Sequence, residues 1–273
     1  MPSFLSKLLS SHQTLFLVLC LGPTPFQAQA QADEKLAMGA RDAIVRGLAY
    51  FSGPELALSS DAALFHAYLK ERYALPELCS SQAVLTRIKE DRANEPLYMF
   101  LRMAEPIPFE IDFVAPDGWL NAVTASGMWY DKLPDKRILV DRIEALDLND
   151  PYCVTHALWA ISMARHCFQA ELDTTLEQKL VAMNLEIMER DRPHWGDVAI
   201  EALVFAQYHD RSYIPPAAYI EEIIGLQNTD GSWNIVAGDR NSYSQHTTML
   251  ALWALLEYEP LAWPTYPRDI MVH

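Results

Sequence analysis

The chain has 273 residues, of which 51% are hydrophobic, enough to fill the core of one large domain or two small ones. Its formal net charge of −15 at pH 7 comes from 36 acidic against 21 basic side chains. This balance argues against nucleic acid and anionic lipid as partners, because both repel a negatively charged surface.

The first segment has the pattern of a secretory signal peptide. Lys7 precedes a short apolar run at 15–21, and the alanines at 28, 30 and 32 offer a cleavage site. The run is far shorter than the ~20 residues that cross a bilayer, which argues against a membrane anchor. We therefore predict a signal peptide over 1–32 and a single exported domain over 33–273, periplasmic or secreted, with no transmembrane segment.

An odd number of cysteines remains after residue 32, namely Cys79, Cys153 and Cys167. At least one thiol must then lie outside any intramolecular disulfide, as a free thiol, a metal ligand or an intermolecular bridge. The sequence does not choose among the three possible pairings.

The exported part begins with helices joined by short polar connections. Apolar residues recur every three or four positions in the first helix, and serine, aspartate and proline mark the starts of the next ones. The predicted helices are 33–51, 62–73, 81 to about 89, and a fourth that starts at Asn94.

Residues 105–135 interrupt this pattern with four prolines, an Asp117-Gly118-Trp119 turn, Gly127 and the pair Trp129-Tyr130. We predict one long irregular insertion here. Long loops inside compact domains are commonly functional. This one is either a ligand-binding loop or a cover over an open end of the core.

Helical patterning resumes at Asp150-Pro151, a cap followed by a proline that suits a first helical turn. The later predicted helices are 151–167, one capped by Asp173 or Thr174, 197–208, an amphipathic one opened by Pro215-Pro216, and an apolar one that begins near Ser244.

Three of these helices share a short pattern that starts at Ala157, Ala202 and Ala251, so the intervals are 45 and 49 residues. Repeats of roughly 40–50 residues built from helix pairs form stacks or closed rings. We predict an all-α fold, an (α/α) toroid or partial toroid of helical hairpins. The alternative is chance recurrence in a chain rich in alanine and leucine.

The stretch Gln227-Asn228-Thr229-Asp230-Gly231-Ser232-Trp233 resembles the Q-x-x-x-G-x-W motif of terpene cyclases and protein prenyltransferase β-subunits. The resemblance implies the toroid fold. The chain has one clean copy of the motif and lacks the D-x-D-D acid motif of squalene–hopene cyclases. Prenyl transfer is not expected, because its substrates are cytosolic and this chain is predicted to be exported.

Alignment of the three repeated helices places Tyr152, Asp197 and His246 at equivalent positions near the helix N-termini. In a toroid these ends meet at the mouth of the central cavity. Glu201 follows Asp197 by four residues and therefore shares its helix face. His246, Asp197 and Glu201 are the predicted catalytic residues, which could carry out acid–base chemistry without a metal.

A zinc site is the second interpretation, because zinc binds thiolate, imidazole and carboxylate. Its candidate ligands are Cys153, His156, His246 and Asp150. The prenyltransferase resemblance implies Asp150, since that family holds zinc with an Asp and a Cys two residues apart and a His followed by Thr, although the spacing here is three. The alternative is that Cys153 is simply buried and His156 is a core histidine.

Aromatic side chains complete the predicted site. Trp159 and Trp253, with Phe205, would line a cavity that suits sugars, apolar groups or cations, and Trp129 and Trp195 are further ligand-binding candidates. Ordinary core packing is the alternative for these rings.

These features predict an exported helical-toroid protein with a ligand-binding central cavity. Its expected activity is that of a metal-assisted or acid–base hydrolase or transferase. The alternatives are a non-catalytic binding module for a glycan, peptide or lipid, and a structural helical protein.

Overall fold

The computed structural model describes residues 25–53, 56–75, 81–90, 98–104, 119–236 and 244–258, with side chains from residue 33 in the first helix and residue 120 in the fourth. The regular elements in these ranges are helices, which confirms the predicted all-α class. The α-helices are α1 (Pro25–Phe51), α2 (Ser60–Tyr73), α3 (Ser81–Glu90), α4 (Trp119–Met128), α5 (Arg137–Glu144), α6 (Pro151–Phe168), α7 (Thr174–Asp191), α8 (Asp197–His209), α9 (Ala217–Gly225) and α10 (Gln245–Tyr258). Short 3₁₀ helices cover Tyr98–Met103, Tyr130–Lys132 and Arg192–His194.

The N-terminal part bears on the predicted signal peptide. Residues 1–24 lie outside the described residues, and the predicted cleavage positions fall in the first turns of α1. The chain divides into two compact units, Met1–Lys35 and Leu36–His273, so the boundary lies within α1. Within the described ranges, no helix combines the length and the apolar character needed to span a bilayer.

Several helices begin where the sequence predicts a cap. The side chains of Ser59, Asp150 and Asp173 accept hydrogen bonds from the first-turn N–H groups of α2, α6 and α7. Pro151 stands in the first turn of α6, where a missing N–H costs no hydrogen bond. These local signals fixed the helix starts well.

The predicted irregular insertion at 105–135 is wrong over Trp119–Met128, which forms α4, and over the short 3₁₀ helix Tyr130–Lys132. Gly127 indicated a loop in the sequence, but in the structure it permits close helix packing. A Cβ at Gly127 would lie 2.4 Å from the Ala160 carbonyl oxygen of α6. Residues 105–118 lie outside the described residues.

Two further helix predictions differ from the structure. The helix predicted from Asn94 starts outside the described residues, and the part that follows, Tyr98–Met103, is 3₁₀ rather than α. The helix α5 was not predicted at all. It is short and lies beside the proline-rich stretch that suggested a loop.

The helices of the second unit contact one another in a cyclic order. The sequence of neighbours is α2, α10, α8, α6, α4, the 3₁₀ helix Tyr98–Met103, and α2 again. Outside this series, α3 packs on α2, α5 on α4, α7 on both α6 and α8, and α9 on α10. This order agrees with the predicted toroid, which stays a prediction.

The Q-x-x-x-G-x-W motif joins α1 to the α9–α10 hairpin. Gln227 Nε2 donates to the Ala43 carbonyl oxygen at 2.8 Å, and Gln227 Oε1 accepts from Arg46 Nε at 2.8 Å. Gly231 has a φ of +93°, and a Cβ there would lie 2.2 Å from the Arg46 carbonyl oxygen. Trp233 Nε1 donates to the Ile223 carbonyl oxygen at 2.8 Å. The motif therefore fixes a helix contact rather than a ligand.

Candidate metal and acid–base site

A cluster of polar side chains lies at the N-terminal ends of α2, α6, α8 and α10. The close approach of residues 234–236 to the start of α8 helps to place it. Asp197 N–H donates to the Ile235 carbonyl oxygen at 2.9 Å, and a Cβ on Gly196 would lie 2.1 Å from that oxygen. Glycine at 196 is therefore needed for Asp197 to start the helix here.

Asp197 is held by hydroxyl groups from the two neighbouring repeated helices. Tyr152 Oη of α6 donates to Asp197 Oδ2 at 2.9 Å, and Thr247 Oγ1 of α10 donates to Asp197 Oδ1 at 2.5 Å. Thr247 is fully buried and Asp197 nearly so. These bonds join α6, α8 and α10 at the ends that the repeat alignment had matched.

Glu201 lies one turn deeper on α8 and is buried. Its Oε1 accepts a hydrogen bond from Thr155 Oγ1 and lies 3.1 Å from His156 Nδ1. His156 Nδ1 also lies 3.0 Å from the Tyr152 carbonyl oxygen. A carbonyl oxygen only accepts hydrogen bonds, so we assign a hydrogen to Nδ1.

His246 lies between two carboxylates at the solvent side of the cluster. Its Nδ1 is 3.2 Å from Asp61 Oδ2 of α2, and its Nε2 is 3.8 Å from Glu201 Oε2. The His246 side chain is 28% exposed and that of Asp61 is 35% exposed, whereas Glu201 is 1% exposed. A carboxylate that binds one ring nitrogen fixes the orientation of the other, an arrangement common at metal-bound histidines.

The charges of these groups depend on one another. Burial alone would lower the pKa of His246, but the nearby carboxylates of Asp61, Glu201 and Asp197 raise it to about 10. Burial likewise opposes ionisation of Glu201, yet His156 and His246 lower its pKa to about 2. Burial opposes ionisation of Asp61 as well, and hydrogen bonds from His246 and Ser59 lower its pKa to about 2. In the ion-free protein His246 is therefore an imidazolium among ionised carboxylates.

Asp197, Glu201 and His246 form a group that could hold a metal ion. One ligand atom from each lies within 4.8 Å of the others. Carboxylate oxygen and imidazole nitrogen both bind zinc, and three protein ligands leave a further position for water. To act as a ligand, His246 must release its Nε2 proton, so metal binding there would release a proton.

The structure brings together the three residues predicted as catalytic. His156, predicted as a zinc ligand, contacts Glu201 at the edge of the same cluster. Cys153 and Asp150 lie elsewhere: Asp150 caps α6, and the Cys153 thiol is buried beside it. Burial and the Asp150 charge raise the pKa of Cys153 to about 12, so the thiol is protonated at neutral pH.

Three members of the cluster were not predicted from the sequence. Asp61 comes from α2, which lies outside the repeat alignment, and Thr155 and Thr247 resemble ordinary helix residues. The only signal for Thr247 was its place beside His246. Cys167 is buried at the other end of α6, and Cys79 lies outside the described residues.

Beneath the polar cluster the interior is filled by aromatic rings. Trp159 stacks on Phe205 at 4.8 Å and on Phe65 at 5.7 Å between centroids, and Trp253 packs edge-on to Trp159 at 6.2 Å. Trp159, Phe205 and Trp253 are buried. Trp159 Nε1 has no hydrogen-bond partner among the described residues. A ligand would reach these rings only if they moved apart.

The other two candidate tryptophans lie away from the cluster. Trp129 is buried against Arg102, whose guanidinium is 4.5 Å from the ring centroid, and its Nε1 donates to the Met99 carbonyl oxygen. Trp195 Nε1 donates to Glu222 Oε2 at 2.6 Å. Trp195 also lines a cavity of about 500 Å³ between α7 and α9.

No protein family, no curated protein and no solved structure matches this chain. The geometry of the site therefore has to carry the functional argument.

Proposed function

We propose that the chain is a metal-dependent hydrolase whose site consists of Asp197, Glu201 and His246. The observation that carries this proposal is the convergence of two buried carboxylates and one imidazole, with Asp61 on the far ring nitrogen of that imidazole. Zinc is the proposed metal, because imidazole and carboxylate suit it and three protein ligands leave one position open. The proposed setting is the mouth of an (α/α) toroid in an exported protein.

Each residue has a separate role in this proposal. Asp197, Glu201 and His246 hold the cation, and Asp61 orients His246 through its Nδ1 hydrogen. Zinc bound here would supply an activated water and polarise a carbonyl or phosphoryl oxygen. His156 Nε2 would take up a proton from that water, because the other ring nitrogen, Nδ1, lies against the Tyr152 carbonyl oxygen.

Hydrogen-bond donors around the carboxylates fit the same role. Tyr152 and Thr247 fix both oxygens of Asp197, and Thr155 fixes Glu201. Donors of this kind orient metal-binding carboxylates in known sites, where their loss weakens the site by roughly 10–100-fold. Burial of the threonines keeps these contacts away from competing water.

A second candidate function is acid–base catalysis without a metal. It is favoured by the side-chain contacts, since Asp197 and Glu201 already have partners within the protein and His246 lies against Asp61. In that case His246 is the general acid and Glu201 sets its charge. A binding module is less well supported, because Trp159, Trp253 and Trp129 are buried.

The test combines zinc affinity and turnover. Zinc would be titrated into metal-free protein against a chromogenic chelator, and p-nitrophenyl acetate and p-nitrophenyl phosphate would be assayed with and without zinc. We expect about one zinc per chain and zinc-dependent hydrolysis, both lost in Glu201→Gln. Cys153→Ser is the matched control and should retain both.

The outcomes separate the two candidates. Hydrolysis that is unchanged by chelation but lost in His246→Gln would favour acid–base catalysis. Absence of both zinc binding and turnover in the folded wild type would contradict each of them.

A further inference from the structure

The four helix starts around the candidate metal site carry negative charge without a matching lysine or arginine. The first eight residues of α2, α6, α8 and α10 are 60–67, 151–158, 197–204 and 245–252. Together they contain three carboxylates, Asp61, Asp197 and Glu201, and neither lysine nor arginine. This imbalance restricts the charge of the substrates that the site can accept.

The contacts of these carboxylates agree with the sequence count. Glu201 lies against His156 and His246, and Asp61 lies against His246. Asp197 accepts from two hydroxyl groups. Within the described ranges, none of the three carboxylates forms an ion pair with a lysine or an arginine.

Arginines next to these helix starts have other partners. Arg87 of α3 donates to Ser60 Oγ at 2.7 Å and makes no ion pair with the neighbouring Asp61. Arg192, which precedes α8, donates to both carboxylate oxygens of Glu222, at 2.9 and 2.7 Å. Neither guanidinium therefore neutralises the site by direct contact.

The helix N-termini themselves are already occupied. A free helix N-terminus attracts anions through its N–H groups and its dipole. In this structure, first-turn N–H groups donate to protein acceptors, which are Ser59 in α2, Asp150 in α6, the Ile235 carbonyl oxygen in α8 and Ser244 Oγ in α10. The first turns of α2 and α8 also contain carboxylates of their own. These ends therefore already hold the anions that they favour.

The net charge of the site is negative with or without a metal. The three carboxylates and the His246 imidazolium give a net charge of −2. When a divalent cation replaces the Nε2 proton of His246, the net charge is −1. The site therefore repels an anionic substrate in both states and attracts a cationic one.

Asp61 is the carboxylate of this group that a ligand can reach. Its side chain is 35% exposed, whereas Glu201 and Asp197 are buried. Its contacts are with His246, Ser59 and the Ala62 N–H, so part of its four-site acceptor capacity remains. Asp61 faces His246 Nδ1 while Glu201 faces Nε2, so a group on Asp61 lies beside the proposed metal position rather than on it.

We propose that the substrate of the proposed hydrolase is an aminoacyl ester or amide, whose free ammonium group binds Asp61 beside the reacting carbonyl; the proposal rests on that function. In hydrolysis, the water oxygen forms a bond to the carbonyl carbon, and the bond from that carbon to the leaving nitrogen or oxygen breaks. The leaving group takes this electron pair and the proton that His156 received from the water. The ammonium group on Asp61 keeps its protons throughout.

The first test compares three substrates that differ in charge at one position. Alanine p-nitroanilide carries a free ammonium group, its N-acetyl derivative is neutral there, and its N-succinyl derivative is anionic. At pH 7 an α-amino group is mostly protonated. With saturating zinc, we expect kcat/KM for the ammonium substrate to exceed that for the N-acetyl derivative by about tenfold, a typical contribution of a charged hydrogen bond. The N-succinyl derivative should be the poorest substrate.

A second measurement reports binding without turnover. Alanine hydroxamate and propionohydroxamate share the zinc-binding group and differ in the ammonium group. Calorimetry on the zinc-loaded protein should show alanine hydroxamate binding about tenfold more tightly.

Three variants assign this preference to Asp61. Asp61→Asn should abolish the preference in both assays, and Asp61→Glu should retain it, because only the first removes the charge. Asp150→Asn is the matched control, since it removes a carboxylate from the same end of the molecule and asparagine caps a helix as well as aspartate does. Each preference is a ratio measured on one protein at saturating zinc, so weaker zinc binding in a variant does not alter it.

The outcomes separate this proposal from the hydrolase function. Zinc-dependent hydrolysis with no preference for the ammonium substrate, or with a preference that persists in Asp61→Asn, would overturn the proposal and leave the hydrolase intact. Zinc-loaded wild type that neither hydrolyses these substrates nor binds either hydroxamate would contradict the hydrolase function, and the proposal with it.

Discussion

The two ends of the repeated helices contain the same residue types in opposite electrostatic settings. At the N-terminal ends, His246 lies among Asp61, Asp197 and Glu201, and its pKa rises to about 10. At the C-terminal ends, burial and two neighbouring basic side chains lower the pKa of His209 to about 4. At neutral pH His246 is therefore charged and His209 neutral. Local partners, rather than position in the helix repeat, determine the charge of each histidine.

The largest expected difference between the ends concerns their buried glutamates. Glu201→Gln should lower the free energy of unfolding of the metal-free protein by about 3 kcal/mol, because it breaks a buried pair and leaves His246 less compensated. Glu177→Gln should cost only about 1 kcal/mol, since its partner Arg165 is half exposed and solvent screens the pair. Urea unfolding of both variants measures these two losses in the free energy of unfolding. An equal or larger loss in Glu177→Gln would contradict the comparison.

The next prediction concerns the carboxylate that orients His246. Asp61→Asn should weaken zinc binding by roughly 10–100-fold, because groups that hold a metal ligand contribute about this much. Asp210→Asn, which changes an acid at the opposite end, is the matched control and should leave zinc affinity unchanged. Chelator competition measures both. A zinc affinity that is the same in Asp61→Asn and wild type would remove Asp61 from the site.

A further prediction concerns the pH dependence of stability in metal-free protein. The pKa of His246 is raised on folding, so its contribution is complete below about pH 6.5 and is lost as pH rises towards 10. The pKa of His209 is lowered on folding, so the unfolded chain takes up a proton first and stability falls from about pH 6.5 towards 4.

Variants assign the two limbs of this pH profile. His246→Gln should flatten the alkaline limb, and His209→Gln should flatten the part of the acid limb between pH 6.5 and 4. Chemical-shift titration of the histidine ring protons provides the direct measurement. A His209 that titrates above 6.5, or a His246 that titrates below it, would reverse the proposed electrostatics.

The sequence predicted the part of the site that lies within the repeat. Asp197 and Glu201 share a helix face at a spacing of four, and alignment of the repeats placed His246 beside them. Local caps such as Asp150 fixed the helix starts because capping depends on nearby backbone groups alone. These features need no knowledge of long-range packing.

The features that the sequence did not predict depend on contacts between distant segments of the chain. Asp61 reaches His246 from α2, and no pattern near Asp61 indicates that neighbour. Gly127 was interpreted as part of a loop because its role, close contact with Ala160, appears only when α4 and α6 pack together.

The most direct test of the proposed metal site is X-ray absorption spectroscopy of the zinc-loaded protein, because it distinguishes the two ligand sets. The structure predicts a first shell of nitrogen and oxygen only, at about 2.0–2.2 Å, from His246, Asp197, Glu201 and water. A sulfur at about 2.3 Å would instead place Cys153 on the metal. Either that sulfur, or a protein that takes up no zinc, would contradict the site proposed here.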